Sequence, residues 1–254
     1  EVRRALRLQA KVVGINNRDL RDFSVDLKKT ERLRQLMPKE QLVISESGIR
    51  QYRDIRRLFK SADGFLIGSH LMGSKNLPRA LTNLLCGSHK VCGLTRPEDA
   101  LKAYEAGAVY GGLIFILTSE RGVTYKLAQE IVKGAPLKFV GVFQNDDIET
   151  IEFIVREVGL SAVQLHGEEP QAFITALRKV LPKEVKIIKA VNMVQPNRLP
   201  KMDYSGVDHY LLDGPRGGSG IPFDWSILSG QDLSNTFLAG GIAQHNIPAA
   251  VHYA

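Results

Sequence analysis

Short apolar runs alternate with longer amphipathic stretches along the whole chain, and this alternation constrains the fold more than any other feature. The runs are KVVGIN (11–16), QLVISES (41–47), GFLIGS (64–69), HKVCG (89–93), YGGLIFI (110–116), KFVGVFQ (138–144), AVQLHG (162–167), VKIIKAV (185–191), HYLLDG (209–214) and TFLAGG (236–241). Near-continuous apolar strands of this kind fit a parallel sheet covered on both faces. Helical patterns such as RPEDALKAYEAGA, TYKLAQEIVKGA and DIETIEFIVREVG lie between them. Strand–helix–strand alternation predicts an α/β architecture with right-handed crossovers.

A boundary is expected near LLCGSHK (84–90), dividing residues 1–87 from 88–254. Three strand–helix units precede it and seven strands follow. A TIM (β/α)8 barrel closes with eight strands. The first block therefore reads as the last three β/α units of one barrel, and the second as a barrel lacking its eighth strand. EVRRALRLQAK begins inside an amphipathic helix without a Met, and QHNIPAAVHYA ends in a helix without a glycine cap, so a fragment cut at both ends is expected. The competing architecture is an open doubly wound sheet, which requires a topological switch point.

Composition narrows the setting. The chain has 254 residues, 44% hydrophobic and 24% charged, enough for one full core or two smaller ones. Two cysteines cannot form a disulfide framework, which points to a reducing, cytoplasmic compartment. No apolar run approaches the roughly 18 residues of a membrane span, and no leader pattern opens the chain, so no membrane partner is expected. The net charge of +7 suits either nucleic acid or small phosphorylated substrates. Lys and Arg are scattered along helices among acids, the densest segment (50–60) has the spacing of a solvated helix face, and no nucleic-acid recognition motif is present. No His, Cys or Asp cluster has metal-ligand spacing.

In an α/β barrel the active face lies at the C-terminal ends of the strands. Cys92 ends such a run, just before Thr95-Arg96-Pro97-Glu98, which reads as a capping box with Pro in the first helical turn. A thiol there can feel the positive helix end, which favours the thiolate and suits a nucleophile or general base. The plain alternative is a small buried hydrophobe, the reading also given to Cys86. Asp213 ends HYLLDG, where it can serve as an acid, a base or a turn cap. Asp224 reads as an N-cap. The glycine-rich stretch GPRGGSGIPFDW (214–225) is a candidate lid, anion-binding loop or plain flexible loop. Gly240 and Gly241 follow the last run, where barrels often bind phosphate. His166 and Gln164 share one strand face, as catalytic or merely hydrogen-bonded rim residues. Arg121 is either solvated or a carboxylate ligand.

Taken together, KVCGLTRPEDA, GAVYGGLIF, VGVFQN, AVQLHG, LLDGPRGGSGIPFDW and LAGG resemble phosphoribosylanthranilate isomerase over nearly all of residues 89–254. VVGINNRDL, VISESGI and GFLIGSHLM resemble the last three units of indole-3-glycerol-phosphate synthase, in the order of the fused bifunctional family of tryptophan biosynthesis. The resemblance implies an Amadori rearrangement of N-(5-phosphoribosyl)anthranilate to 1-(2-carboxyphenylamino)-1-deoxyribulose 5-phosphate. It implies Cys92 as general base, Asp213 as general acid, Arg121 on the anthranilate carboxylate, Gln164 and His166 lining the substrate, and Gly240 and Gly241 on the phosphate. For the synthase part it implies Asn16, Arg18, Glu46 and Ser47 as substrate-lining, and Gly48, Gly68 and Ser69 as a phosphate cradle. The synthase catalytic lysines and first glutamate have no counterpart in this sequence, so closure and decarboxylation to indole-3-glycerol phosphate are expected only of a full-length protein. Glu120 replaces the proline usual in the family. The resemblance implies no metal, no organic cofactor and a monomer. A catalytically inactive structural fragment and a basic nucleic-acid binder are the remaining readings.

Overall fold

A computed structural model describes residues 2–193, 199–215, 220–233 and 235–253. They form two compact units, 1–88 and 89–254. Among the described residues, no helix is long and apolar enough to cross a membrane.

In the first unit, β1 (Val12–Asn16), β2 (Leu42–Glu46) and β3 (Gly64–Leu66) form a parallel sheet in sequence order. The register sets Asn16 beside Glu46 and Glu46 beside Leu66, so the strand ends are aligned. The helices are α1 (Val2–Arg7), α2 (Lys28–Arg34), α3 (Tyr52–Leu58), α4 (Ser69–Met72) and α5 (Leu77–Cys86). Ile15, Val43 and Ala62 form one small core, and Ile49, Leu58 and Leu84 another.

The second unit holds β4 (Lys90–Cys92), β5 (Tyr110–Ile114), β6 (Lys138–Phe143), β7 (Ala162–Leu165), β8 (Lys186–Asn192), β9 (His209–Asp213) and β10 (Thr236–Leu238). They make one seven-stranded parallel sheet in unbroken sequence order, with no reversal of strand order of the kind a doubly wound sheet requires. The sheet is curled. Tyr110 of β5 meets Phe237 of β10 edge to face at 5.6 Å, although β6 to β9 lie between those strands in the ladder.

Curling gives the strands two different faces. Val140, Ala162, Ile188, Ala190 and Leu211 cluster with Tyr110 and Phe237 on the concave side. The alternate residues Phe139, Val163, Leu165 and Ile187 pack outward against helices α6 (Pro97–Glu105), α7 (Tyr125–Lys133), α8 (Ile148–Val158) and α9 (Gln171–Val180). The period-2 geometry of a strand accounts for this division. A 3-10 helix (Trp225–Leu228) and α10 (Ile247–Tyr253) follow β9 and β10.

Local chemistry sets the helix ends. The Thr124 side chain accepts from Leu127 N at the start of α7, and Asp147 accepts from Thr150 N at the start of α8. Gly159 ends α8 with φ of 72°, the left-handed geometry that glycine adopts without penalty. Asp224 caps the 3-10 helix through Ser226 N, as expected. The cap of α6 differs from expectation. Arg96, not Thr95, is the N-cap; it makes no side-chain cap and instead pairs with Asp99. Pro97 does open the helix, so its fixed φ rather than a capping box defines the start. Cys86 and Cys92 are both exposed, against the reading of either as a buried hydrophobe.

Phe143 is fully buried and stacks on Phe115 at 5.1 Å. Phe143→Ala should cost about 3–5 kcal/mol of stability in chemical denaturation. Phe153→Ala, at a ring that is 49% exposed, should cost far less. Equal effects would show that the outer layer is not the core that holds this unit.

Candidate functional site

The side chains at the rim of the second unit continue the inward rows of the strands. Gln164 and His166 follow the inward-facing Ala162 at intervals of two, and Asp213 follows Leu211 in the same way. Cys92 ends β4 in register with Gly112. A Cβ on Gly112 would lie 2.6 Å from Cys92 Sγ and 3.0 Å from Lys90 Nζ. The glycine thus leaves room for the thiol, and Lys90 shares its face. Lys90 was not singled out from the sequence.

Arg121 reaches back from the loop after β5 and donates to the Cys92 carbonyl at 3.3 Å. At the ends of β7 and β9, His166 Nε2 stands 3.5 Å from Asp213 Oδ2. Gln164 Nε2 and His166 Nδ1 are 3.0 Å apart, while the buried Gln164 Oε1 has no protein partner. Asp213 is buried, and its Oδ1 accepts from Gly214 N at 2.8 Å. Gly240 has φ of 78°, and a Cβ there would collide with the Gly214 backbone and with Asp213. That close approach holds the Gly240-Gly241 turn against the end of β9. Residues 216–219 of the glycine-rich stretch lie outside the described residues, so its reading as a lid or anion loop does too.

Burial pushes the His166 imidazole below its ordinary value; Asp213 opposes this, while Lys90 and Lys189 reinforce it and Glu169 opposes it again. At Glu169, burial pushes the carboxyl up, but hydrogen bonds from Lys189 and the Asn145 amide outweigh it and hold the group below the usual range.

In the first unit the predicted residues also gather at strand ends. Arg18 N donates to Asn16 Oδ1 at 2.9 Å, and the Arg18 guanidinium donates to the Phe23 carbonyl at 3.1 Å. The Glu46 carboxylate folds over Gly14. Ser47 and Gly48 turn with φ of 66° and 83°, and Gly68 and Ser69 open α4. The residues that organise this rim were missed. Asn17 Nδ2 donates to Ser45 Oγ and to the Ser47 carbonyl, and Thr30 Oγ1 donates to Asn17 Oδ1. All three polar side chains are buried. Two adjacent asparagines leave no sign in the sequence of which one turns inward. Among the described residues, no group of His, Cys, Asp or Glu can hold a metal ion.

The His166 shift has a pH consequence. The unfolded imidazole binds a proton near pH 6.5, and the folded one only at lower pH. Its contribution to stability is therefore complete above the unfolded value and is lost as pH falls through the folded one. The chain should be less stable at about pH 5 than at about pH 7.5, and His166→Asn should flatten that difference in thermal unfolding. An unchanged slope would show that His166 does not carry it.

Residues 89–254 match the family described as N-(5'phosphoribosyl)anthranilate (PRA) isomerase, and residues 1–84 match indole-3-glycerol phosphate synthase. The "Tryptophan biosynthesis protein TrpCF" of Salmonella typhi is 52% identical over 97% of this chain and 54% of its own length. That of Yersinia pestis is 50% identical over 98% of this chain and 52% of its own length. The chain thus spans about half the length of the curated relatives it matches. The phosphoribosyl anthranilate isomerase of Thermus thermophilus superposes with a TM-score of 0.57 at 33% identity, over 65% of this chain and 82% of that one. A phosphoribosyl anthranilate isomerase solved in complex with reduced 1-(o-carboxyphenylamino)-1-deoxyribulose 5-phosphate gives 0.52 at 31% identity, over 65% of this chain and 80% of that one. The inward rows that converge on one rim are thus carried on a curled α/β sheet shared with solved isomerases, and the chain belongs to the N-(5'phosphoribosyl)anthranilate isomerase family.

Proposed function

We propose that the second unit isomerises N-(5-phosphoribosyl)anthranilate to 1-(2-carboxyphenylamino)-1-deoxyribulose 5-phosphate in tryptophan biosynthesis. The observation that carries this reading is the assembly at one rim of Cys92 with Arg121 and of His166 with Asp213. Asp213 gives its proton to the furanose ring oxygen as the C1′–O bond breaks, leaving an iminium. Cys92, as thiolate, takes the C2′ proton. The resulting enolamine tautomerises to the ketone, so nothing is gained or lost overall. Two groups of opposite role facing the sugar are what this requires. The Arg121 guanidinium suits a planar carboxylate, here that of the anthranilate ring. Gln164 and His166 line the sugar, and the amides of the Gly240-Gly241 turn suit a phosphate.

Residues 1–87 act in this reading as the end of an indole-3-glycerol-phosphate synthase barrel. Asn16, Arg18, Glu46 and Ser47 line its substrate, and Gly48, Gly68 and Ser69 border its phosphate. The reaction that closes and decarboxylates the isomerase product belongs to a full-length protein.

The test is turnover of phosphoribosylanthranilate, with the Salmonella typhi relative as a positive control. Cys92→Ser and Asp213→Asn should each lower kcat by roughly 100-fold or more. Arg121→Ala should act mainly on KM. Undiminished turnover in folded Cys92→Ser and Asp213→Asn variants would sink the roles given to them. A silent wild-type chain beside an active control would sink the reading for this chain.

A further inference from the structure

Lys189 and Glu169 form an ion pair at 2.7 Å in which both side chains are almost wholly buried, 5% and 2% exposed. Their hydrogen bonds run to each other and to the backbone of Gly167 and Asn145. Lys189 lies between Ile188 and Ala190, which face the concave side, so its own side chain runs outward behind the strand ends. There it meets the loop that follows His166. Lys189 Nζ also donates to the Gly167 carbonyl at 2.6 Å. Glu169 Oε1 accepts from Gly167 N at 3.1 Å and from Asn145 N at 3.0 Å. Asn145, at a φ of 58°, accepts from Glu168 N at 2.9 Å. Both polar groups of the Gly167 backbone are thereby held by the pair. A Cβ on Gly167 would lie 2.6 Å from Asn145 Cγ and 2.7 Å from Glu169 Oε1, so the cluster closes on a bare backbone.

A buried ion pair is weak support for stability, because desolvation offsets most of the attraction and apolar residues of similar volume often do as well. A pair that bonds both sides of the residue next to His166 has another use. We propose that the Lys189–Glu169 pair is a positioning clamp that holds the backbone behind His166, so that its imidazole stays inside the rim and meets Asp213. The consequence for turnover rests on the isomerase reading above; the consequence for the imidazole does not. The charged groups that act on His166 are Asp213 from β9, Lys90 from β4, Lys189 from β8 and Glu169 from its own loop. Releasing the loop lets water reach the ring, whichever partner is removed.

The experiment follows the His166 ring signals by NMR across pH in the whole chain, assigned by their loss in His166→Asn, for the Lys189→Met and Glu169→Gln variants. Both variants should raise the His166 titration midpoint toward its ordinary value, and kcat for phosphoribosylanthranilate should fall about tenfold or more. If only the charges mattered, Lys189→Met would raise the midpoint and Glu169→Gln would lower it, which would overturn the clamp. Unmoved midpoints in folded variants would overturn it as well, and so would undiminished kcat where the midpoints have moved. The double variant leaves neither charge unpaired and carries the same readout if a single one fails to fold. A wild-type chain that shows no turnover would remove the isomerase reading, while the titration still decides the clamp.

Discussion

The structure of the second unit depends on one constraint, the burial of its parallel strands on both faces. A strand alternates its side chains, so a sheet covered on one side by helices and curled on the other must be apolar in both rows. Val140, Ala162, Ile188, Ala190 and Leu211 meet that demand inside, and Phe139, Val163, Leu165 and Ile187 meet it outside. The inward rows turn polar at both ends of the strands, at Lys138, Lys186 and His209 where they begin and at Gln164, His166 and Asp213 where they end. Polar side chains are confined to the strand ends because only there does an inward position escape the packed interior, and the residues proposed for chemistry stand at the C-terminal one.

Polar groups at that rim are expensive unless partnered. The second unit meets the cost in two layers. In front, His166 contacts both Asp213 and Gln164, with Gln164 Oε1 left without a protein partner on the concave side. Behind them, Lys189, Glu169 and Asn145 bond the loop backbone on the helix side. The first unit uses a neutral equivalent, the Asn17–Ser45–Thr30 set, to bind the turn after β2. In both, a buried polar group outside the proposed substrate-facing set shapes the loop that carries those residues.

Much of this was legible beforehand, for identifiable reasons. Each apolar run became a strand, because length and β-branched composition are local signals. Asp224 read as a cap because a cap is a contact between neighbours in sequence. The Thr95 cap failed because the helix begins one residue later, with Arg96 as its N-cap and paired to Asp99 at i,i+3. The glycines of β5 gave no hint of Cys92 and Lys90, which stand on another strand. Lys189 stands inside the apolar run VKIIKAV, and nothing in that run shows what it pairs with. Its partner lies in the loop after the preceding strand and depends on the register of β7 against β8.

The sequence by itself determined the class of fold, the order of elements and the runs that become strands. These follow from periodicity and from turn and cap chemistry, which act over a few neighbouring residues. Only the tertiary structure decided that the sheet curls until Tyr110 touches Phe237. Only it showed that Arg121 reaches the Cys92 carbonyl, that His166 meets Asp213, and that a buried cation stands behind them. Those contacts join residues far apart in the chain. Their distances depend on strand register and sheet curvature, which the packing of all the strands sets together.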